Sequence, residues 1–176
     1  MRKGALKVTL AIRPNVRLNV WNVHLQNGVS TRVRSRQVTE LVRWIEAAHD
    51  GQIADIVGGD FNFTPGSEEF GRFVSAVGFS AHQLAAVMPL PTWDGLQPAR
   101  HPGQVLDHIF VKTKGVTEDI AAQAQRLFCA SLLKDRLSDH MGVEVNLTLR
   151  ESEANRPPAP AWKQPLPVLA AAAVIQ

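Results

Sequence analysis

The sequence predicts a mixed α/β domain, and three observations carry that expectation. Period-two alternation runs through two segments joined by Arg13-Pro14-Asn15, apolar residues recur at helical spacing between Thr31 and His49, and short β-branched runs end in glycine or aspartate. With 176 residues and 45% hydrophobic content the chain is long enough for one domain with a sizeable core, and a second domain is not expected.

Each element follows from local chemistry. Ala5 to Ile12 alternates loosely and Arg17 to Leu25 alternates well, with Leu18, Val20 and Asn22 opposite Asn19, Trp21 and Val23, so the pair reads as a β-hairpin. From Thr31 to His49, Val38, Leu41, Val42 and Ile45 form a helical stripe, with Ser30 or Thr31 as the cap and Asp50-Gly51 as the stop. Ile53 to Val57 is a short buried strand, and Gly58-Gly59 lets the backbone turn so that Asp60 emerges at its end. Thr64-Pro65-Gly66-Ser67 opens a short helix over Glu68 to Val77, which Gly78 ends.

Ser80 to Pro102 carries Pro89, Pro91, Pro98 and Pro102, which force an irregular path around a small Thr92-Trp93 strand. Val105 to Val111 is a strand whose alternation puts Asp107 and Ile109 on one face and His108 and Phe110 on the other, so only one of Asp107 and His108 can point into a given cleft. Ala121 to Cys129 is helical by its Ala and Gln content. Gly142 to Leu149 alternates cleanly, Val143, Val145, Leu147 and Leu149 against Glu144, Asn146 and Thr148. After Arg150 the composition turns to Pro, Ala and charged residues, which predicts a domain over residues 1–150 and a disordered tail over 151–176.

Composition excludes several classes. The formal charge of +3, from 19 basic and 16 acidic residues, suits an anionic partner without identifying one, and Arg32, Arg36 and Arg43 share a helical face of the kind that is usually solvated. A lone Cys129 excludes an intramolecular disulfide framework and a thiolate zinc site, and fits a reducing, cytoplasmic compartment. Arg13, Pro14 and Arg17 interrupt the only apolar stretch that could serve a signal peptide, and the apolar run through Ile175 is too short for a transmembrane segment. There is no His-Glu-x-x-His zinc helix, no Gly-x-x-x-x-Gly-Lys loop and no Gly-x-Ser-x-Gly elbow. Ser138-Asp139-His140 is not a hydrolytic triad, because adjacent residues cannot form the relay. Oligomeric state is not legible in the sequence.

What the composition leaves open, the motifs narrow. Asn22-Val23-His24-Leu25, Gly58-Gly59-Asp60-Phe61-Asn62, Leu106-Asp107-His108-Ile109 and Leu137-Ser138-Asp139-His140 place acidic, amide and imidazole groups where predicted strands end. Each alone reads as turn chemistry or a structural histidine. Together, and in this order, they resemble the endonuclease/exonuclease/phosphatase superfamily from about Lys3 to Leu149. His24 matches that family's Asn-Thr-His-Leu histidine, with Val23 in place of Thr; Asp60 and Asn62 match its Gly-Asp-Phe-Asn signature. Asp107 matches its Asp-His-Ile aspartate, and Asp139-His140 its Ser-Asp-His close. Arg36-Gln37, Thr92-Trp93-Asp94 and Gly142-Val143 agree with the pattern too.

The resemblance implies two mainly antiparallel β-sheets packed as a deoxyribonuclease-like sandwich with flanking helices, of which this chain is the C-terminal portion, and it makes Ala121 to Cys129 an irregular strand. It implies a phosphate-ester substrate cleaved with Mg²⁺ (or Mn²⁺), with nucleic acid among the candidate partners. Asp139, Asp60 and Asn62 would be the metal-side groups, hard oxygens of the type magnesium takes. Asp107 would accept from His140 and raise its basicity, His140 would act on the water or on the phosphate, and His24 would donate to the transition-state oxygens. The Lys3-Gly4-Ala5-Leu6 start, the Asn22-Val23-His24-Leu25-Gln26 strand end and the Ser138-Asp139-His140-Met141-Gly142-Val143 close look more like the sphingomyelinase and general bacterial phosphodiesterase branches than the apurinic-site nucleases. The family also uses a strand-end Asn and a metal-binding Glu upstream of the region aligned with Arg2 to Leu6, and Met1 stands immediately before that region. The alternative expectation is therefore an inactive or anion-binding scaffold of the same family.

Overall fold

The structure, a computed structural model, describes residues 3–13, 16–28, 31–49, 54–78, 91–95, 103–112, 121–127, 138–148 and 170–175. Strands β1 (Gly4–Arg13) and β2 (Val16–His24) form the expected hairpin, and helix α1 (Thr31–Ala48) separates β2 from the parallel strand β3 (Ala54–Asp60). Helix α2 (Glu68–Val77) follows, then β4 (Asp107–Lys112), antiparallel to β3, so the first sheet runs β1-β2-β3-β4. Strands β5 (Ala121–Leu127), β6 (Gly142–Thr148) and β7 (Ala170–Ile175) make a second, wholly antiparallel sheet. The two sheets meet through β4 and β6.

Alternation decides what lies on each face of the first sheet. Trp21, Val23, Val57 and Phe110 share one face and join Val38, Leu41 and Ile45 of α1 and Phe70, Phe73 and Val77 of α2 in a buried core. Burying each large side chain of this kind contributes about 1.5–3 kcal/mol. Leu18, Ile56, Ile109 and Val111 are buried on the opposite face, and Met141 before β6 and Val143 and Val145 within it are buried as well. Strand β3 is covered on both sides, which explains its apolar Ala54, Ile56 and Val57 on both faces. Helix α2 starts at Ser67, whose hydroxyl accepts from the Phe70 amide at 3.3 Å, and stops at Gly78 in the left-handed conformation, as its flanking residues dictate.

One ambiguity is resolved and one expectation changes. Ala121–Leu127 is a strand, as the resemblance implied, because register with Gly142–Thr148 outweighs the helix propensity of its Ala and Gln residues. Within the expected disordered tail, Ala170–Ile175 is strand β7 on the edge of β6. Those six residues are apolar and free of proline, and pairing satisfies backbone groups that β6 would otherwise leave open. Residues 151–169 and the boundary expected near Arg150 lie outside the described residues.

Candidate active site

Strand register assembles the first half of the site. His24 lies opposite Asp60, and Asp60 opposite Asp107, so three side chains from β2, β3 and β4 stand in one row at the same end of the sheet, on the face turned away from the helices. Gly59 makes this approach possible: its φ is +142°, and a Cβ there would sit 1.9 Å from the Val23 carbonyl oxygen. Just beyond β3, Asn62 adopts a left-handed φ of 53°. Its amide N–H donates to Asp60 Oδ1 at 2.9 Å, and its Nδ2 donates to Asp60 Oδ2 at 2.9 Å and to the Leu25 carbonyl at 3.0 Å. The Gly-Asp-Phe-Asn turn thus locks its own carboxylate while tying it to the end of β2.

The second half is brought in by the short Thr92-Trp93 segment, which the sequence marked as a small strand. Thr92 Oγ1 accepts from the amides of Leu106 (3.0 Å) and Asp107 (3.1 Å), and the Thr92 carbonyl accepts from Met141 N at 2.7 Å. Trp93 bridges Gln104 on one side and His140 on the other, while its indole N–H donates to Asp139 Oδ2 at 2.9 Å. Thr92 and Trp93 therefore stitch the start of β4 to Asp139 and His140. The sequence marked Thr92-Trp93-Asp94 as agreeing with the family pattern, but gave no sign of these long-range bonds.

Stitched this way, His140 Nδ1 lies 2.9 Å from Asp107 Oδ2, and its other ring nitrogen lies 4.0 Å from Asp60 Oδ2. His24 Nε2 is 3.3 Å from the same Asp60 oxygen, and Lys3 Nζ touches His24 Nε2. All the expected catalytic residues, His24, Asp60, Asn62, Asp107 and His140, are gathered here, with Asp139 on the flank held by Trp93. His108 points the other way, among Phe61, Phe63, Phe70 and Phe110, with its Nε2 donating to the Phe63 carbonyl at 2.9 Å. His49 pairs with Asp55 at 2.8 Å at the opposite end of β3, and His82 and His101 lie outside the described residues.

The charges in the row interact. Burial and the neighbouring Asp107 carboxylate raise the pKa of Asp60 above its ordinary value, against the pull of the Asn62 amide and the two imidazoles. Burial would lower the pKa of His140, but the Asp107 hydrogen bond and the charges of Asp107, Asp60 and Asp139 outweigh it and raise the net value. His24 goes down, through burial first and then the adjacent Lys3 and His140 charges. The two imidazoles are thus shifted in opposite directions.

Among the described residues, no three His, Cys, Asp or Glu side chains converge to hold an ion. The donors nevertheless suit magnesium, which is commonly held by one or two carboxylates, several waters and the substrate's own phosphate. Asp60 is a partly buried carboxylate with a second carboxylate, Asp107, beside it, and Trp93 engages only one oxygen of Asp139.

Solved structures of the deoxyribonuclease-like fold align with this chain. Humanized TDP2 of D. rerio aligns with a TM-score of 0.60 at 20% identity over 79% of this chain and 58% of that one. A beta-toxin mutant of Staphylococcus aureus with bound magnesium ions aligns with a TM-score of 0.54 at 17% identity, over 81% and 57%. Sphingomyelinase C from Streptomyces griseocarneus gives 0.56 at 19%, over 80% and 56%. The chain spans little more than half the length of these proteins. No curated protein matches it. The family model described as Endonuclease/Exonuclease/phosphatase family matches residues 3–140, and the chain belongs to that family.

Proposed function

We propose that this chain carries catalytic groups of a divalent-metal-dependent phosphoesterase acting on phosphodiester or phosphomonoester bonds. The observation that supports this most is the Asp107–His140 pair, closed at 2.9 Å, with the free edge of the imidazole directed at Asp60 across 4.0 Å. A gap of that size leaves a water or a phosphate oxygen within reach of both groups. When bound, Mg²⁺ or Mn²⁺ would neutralise charge on the non-bridging oxygens, with Asp139, Asp60 and Asn62 as its protein-side oxygens. Asp107 orients His140 and stabilises its protonated form; His140 takes a proton from the attacking water or holds the phosphate; Asp60 aligns that water; and His24 donates to an oxygen on which charge develops.

The substrate class is a phosphate ester of nucleic acid, phospholipid or a small molecule. No helix among the described residues is long and apolar enough to cross a membrane, and the lone Cys129 suits a reducing compartment such as the cytoplasm. Hydrolysis of bis-p-nitrophenyl phosphate and p-nitrophenyl phosphate, titrated with Mg²⁺ and compared with His140→Ala, tests the reading. Metal-dependent turnover well above that control is expected. Turnover equal to the control, in a folded chain, would leave an inactive scaffold of the same family.

A further inference from the structure

Gln37 takes no part in the chemistry described above, yet a chain of hydrogen bonds leads from it to the Asp60 carboxylate. It stands half-buried on α1, at the rim of the buried stripe formed by Arg34, Val38, Leu41 and Ile45. Its Oε1 accepts from the Gln26 amide at 2.8 Å. The carbonyl of that same peptide bond, on Leu25, accepts from Asn62 Nδ2 at 3.0 Å, and Asn62 Nδ2 also donates to Asp60 Oδ2 at 2.9 Å. Because the peptide is planar, fixing its N–H fixes where its C=O points. One turn earlier, Arg34 Nη1 donates to the Gln26 carbonyl at 3.4 Å while Nη2 pairs with Glu69 at 3.0 Å, so α1 holds both backbone polar groups of Gln26. Asn62 needs such support. Its left-handed φ of 53° costs a non-glycine residue free energy, which the bonds to Leu25 and Asp60 offset.

We propose that Gln37 is a positioning residue for the Asn62–Asp60 pair, acting from outside the row of site groups through the Leu25–Gln26 peptide. This rests on the phosphoesterase reading and adds to it a residue of α1. Hydrogen bonds in a chain polarise one another, so an acceptor on the Gln26 N–H makes the Leu25 carbonyl a better acceptor for Asn62. Gln37 therefore governs how firmly Asn62 is held, and with it the aim of the Asp60 carboxylate. Loss of Oε1 loosens that aim without removing any group from the site, which lowers kcat and leaves KM nearly unchanged.

The test is a double-mutant cycle on the full chain, read by turnover of p-nitrophenyl phosphate in saturating Mg²⁺, by melting temperature and by the side-chain amide NMR resonances of Asn62. Gln37→Met should lower kcat about tenfold with KM changed by less than about twofold, as loss of an orienting partner does. Gln37→Glu, which keeps an acceptor oxygen, should restore most of the rate. In an Asn62→Ala background Gln37→Met should cost less than about twofold, since its effect passes through Asn62. Equal losses in both backgrounds would make Gln37 a merely structural contact and overturn the proposal. The Asn62 resonances answer without turnover: they should move in Gln37→Met, and also in Gln37→Glu, where a charged acceptor strengthens the chain. Unmoved resonances in either folded variant overturn the relay, so Gln37→Glu decides should Gln37→Met fail to fold. Resonances that respond in a chain without ester turnover would remove the hydrolase reading and keep the relay, whereas turnover with unresponsive resonances would do the reverse.

Discussion

An aspartate–histidine pair lies near each end of β3, and the two differ in everything except distance. At its start, Asp55 is fully buried and accepts from His49 at 2.8 Å, Asn19 Nδ2 at 3.0 Å and Trp21 Nε1 at 3.0 Å. Asn19 is in turn held by Thr9 at 2.8 Å, and the second His49 nitrogen is buried without a partner among the described residues. At the other end, beside Asp60, Asp107 holds His140 at 2.9 Å, but that ring is a quarter exposed and its second nitrogen faces Asp60 across 4.0 Å. The first pair is a buried knot, closed to solvent, that joins β1, β2, β3 and the end of α1. The second is left incomplete toward a cleft. Pair geometry alone therefore does not mark chemistry; what matters is whether the imidazole retains an accessible nitrogen in a field of other charges.

The largest test of this contrast is Asp55→Ala, which strands buried donors on Asn19, Trp21 and His49. It should cost about 3–5 kcal/mol, seen as a fall in melting temperature of roughly ten degrees, while turnover of the remaining folded protein stays near that of the parent. A selective loss of turnover with unchanged melting would place Asp55 in the chemistry instead. His140→Ala should behave in the opposite way, losing about two orders of magnitude or more in turnover with a small change in melting temperature. Retained hydrolysis would remove His140 from its assigned role, and a matching loss in His49→Ala would erase the contrast.

Protonation sharpens the comparison further. The folded pKa of His140 is raised above 6.5, so its contribution to stability is present below the unfolded pKa and is lost as pH climbs through the folded value. Action as a base runs the other way, since it needs the neutral ring. Turnover should rise with pH along a limb centred above 6.5 while stability from this group declines over the same window, and His49→Ala should leave the limb where it is. A limb centred below 6.5 would contradict the influence of Asp107, Asp60 and Asp139 on the ring.

The smallest expected effect belongs to Trp93→Phe, which removes the indole donor to Asp139 and keeps an aromatic ring. Loss of such an orienting bond should weaken Mg²⁺ affinity about tenfold, measured by calorimetry, with turnover at saturating metal largely kept. Unchanged affinity would reduce Trp93 to packing.

Much of this molecule was legible in the sequence because it rests on local chemistry. The hairpin, α1, α2 with its Ser67 and Gly78 ends, and the opposite facing of Asp107 and His108 follow from periodicity, capping and turn residues acting over a few positions. The order of four strand-end motifs was enough to suggest the family that residues 3–140 match. Tertiary structure decided the rest. Only parallel and antiparallel register could put His24, Asp60 and Asp107 in one row, and only the long-range bonds of Thr92 and Trp93 could bring Asp139 and His140 to it. The buried roles of Arg34, paired with Glu69 at 3.0 Å between the helices, and of Asp55 were equally hidden, since a charged residue in sequence gives no sign of the partner that will meet it. Strand β7 shows the same limit: an Ala-rich segment carries weak local preference, and the open edge of β6 settles its conformation.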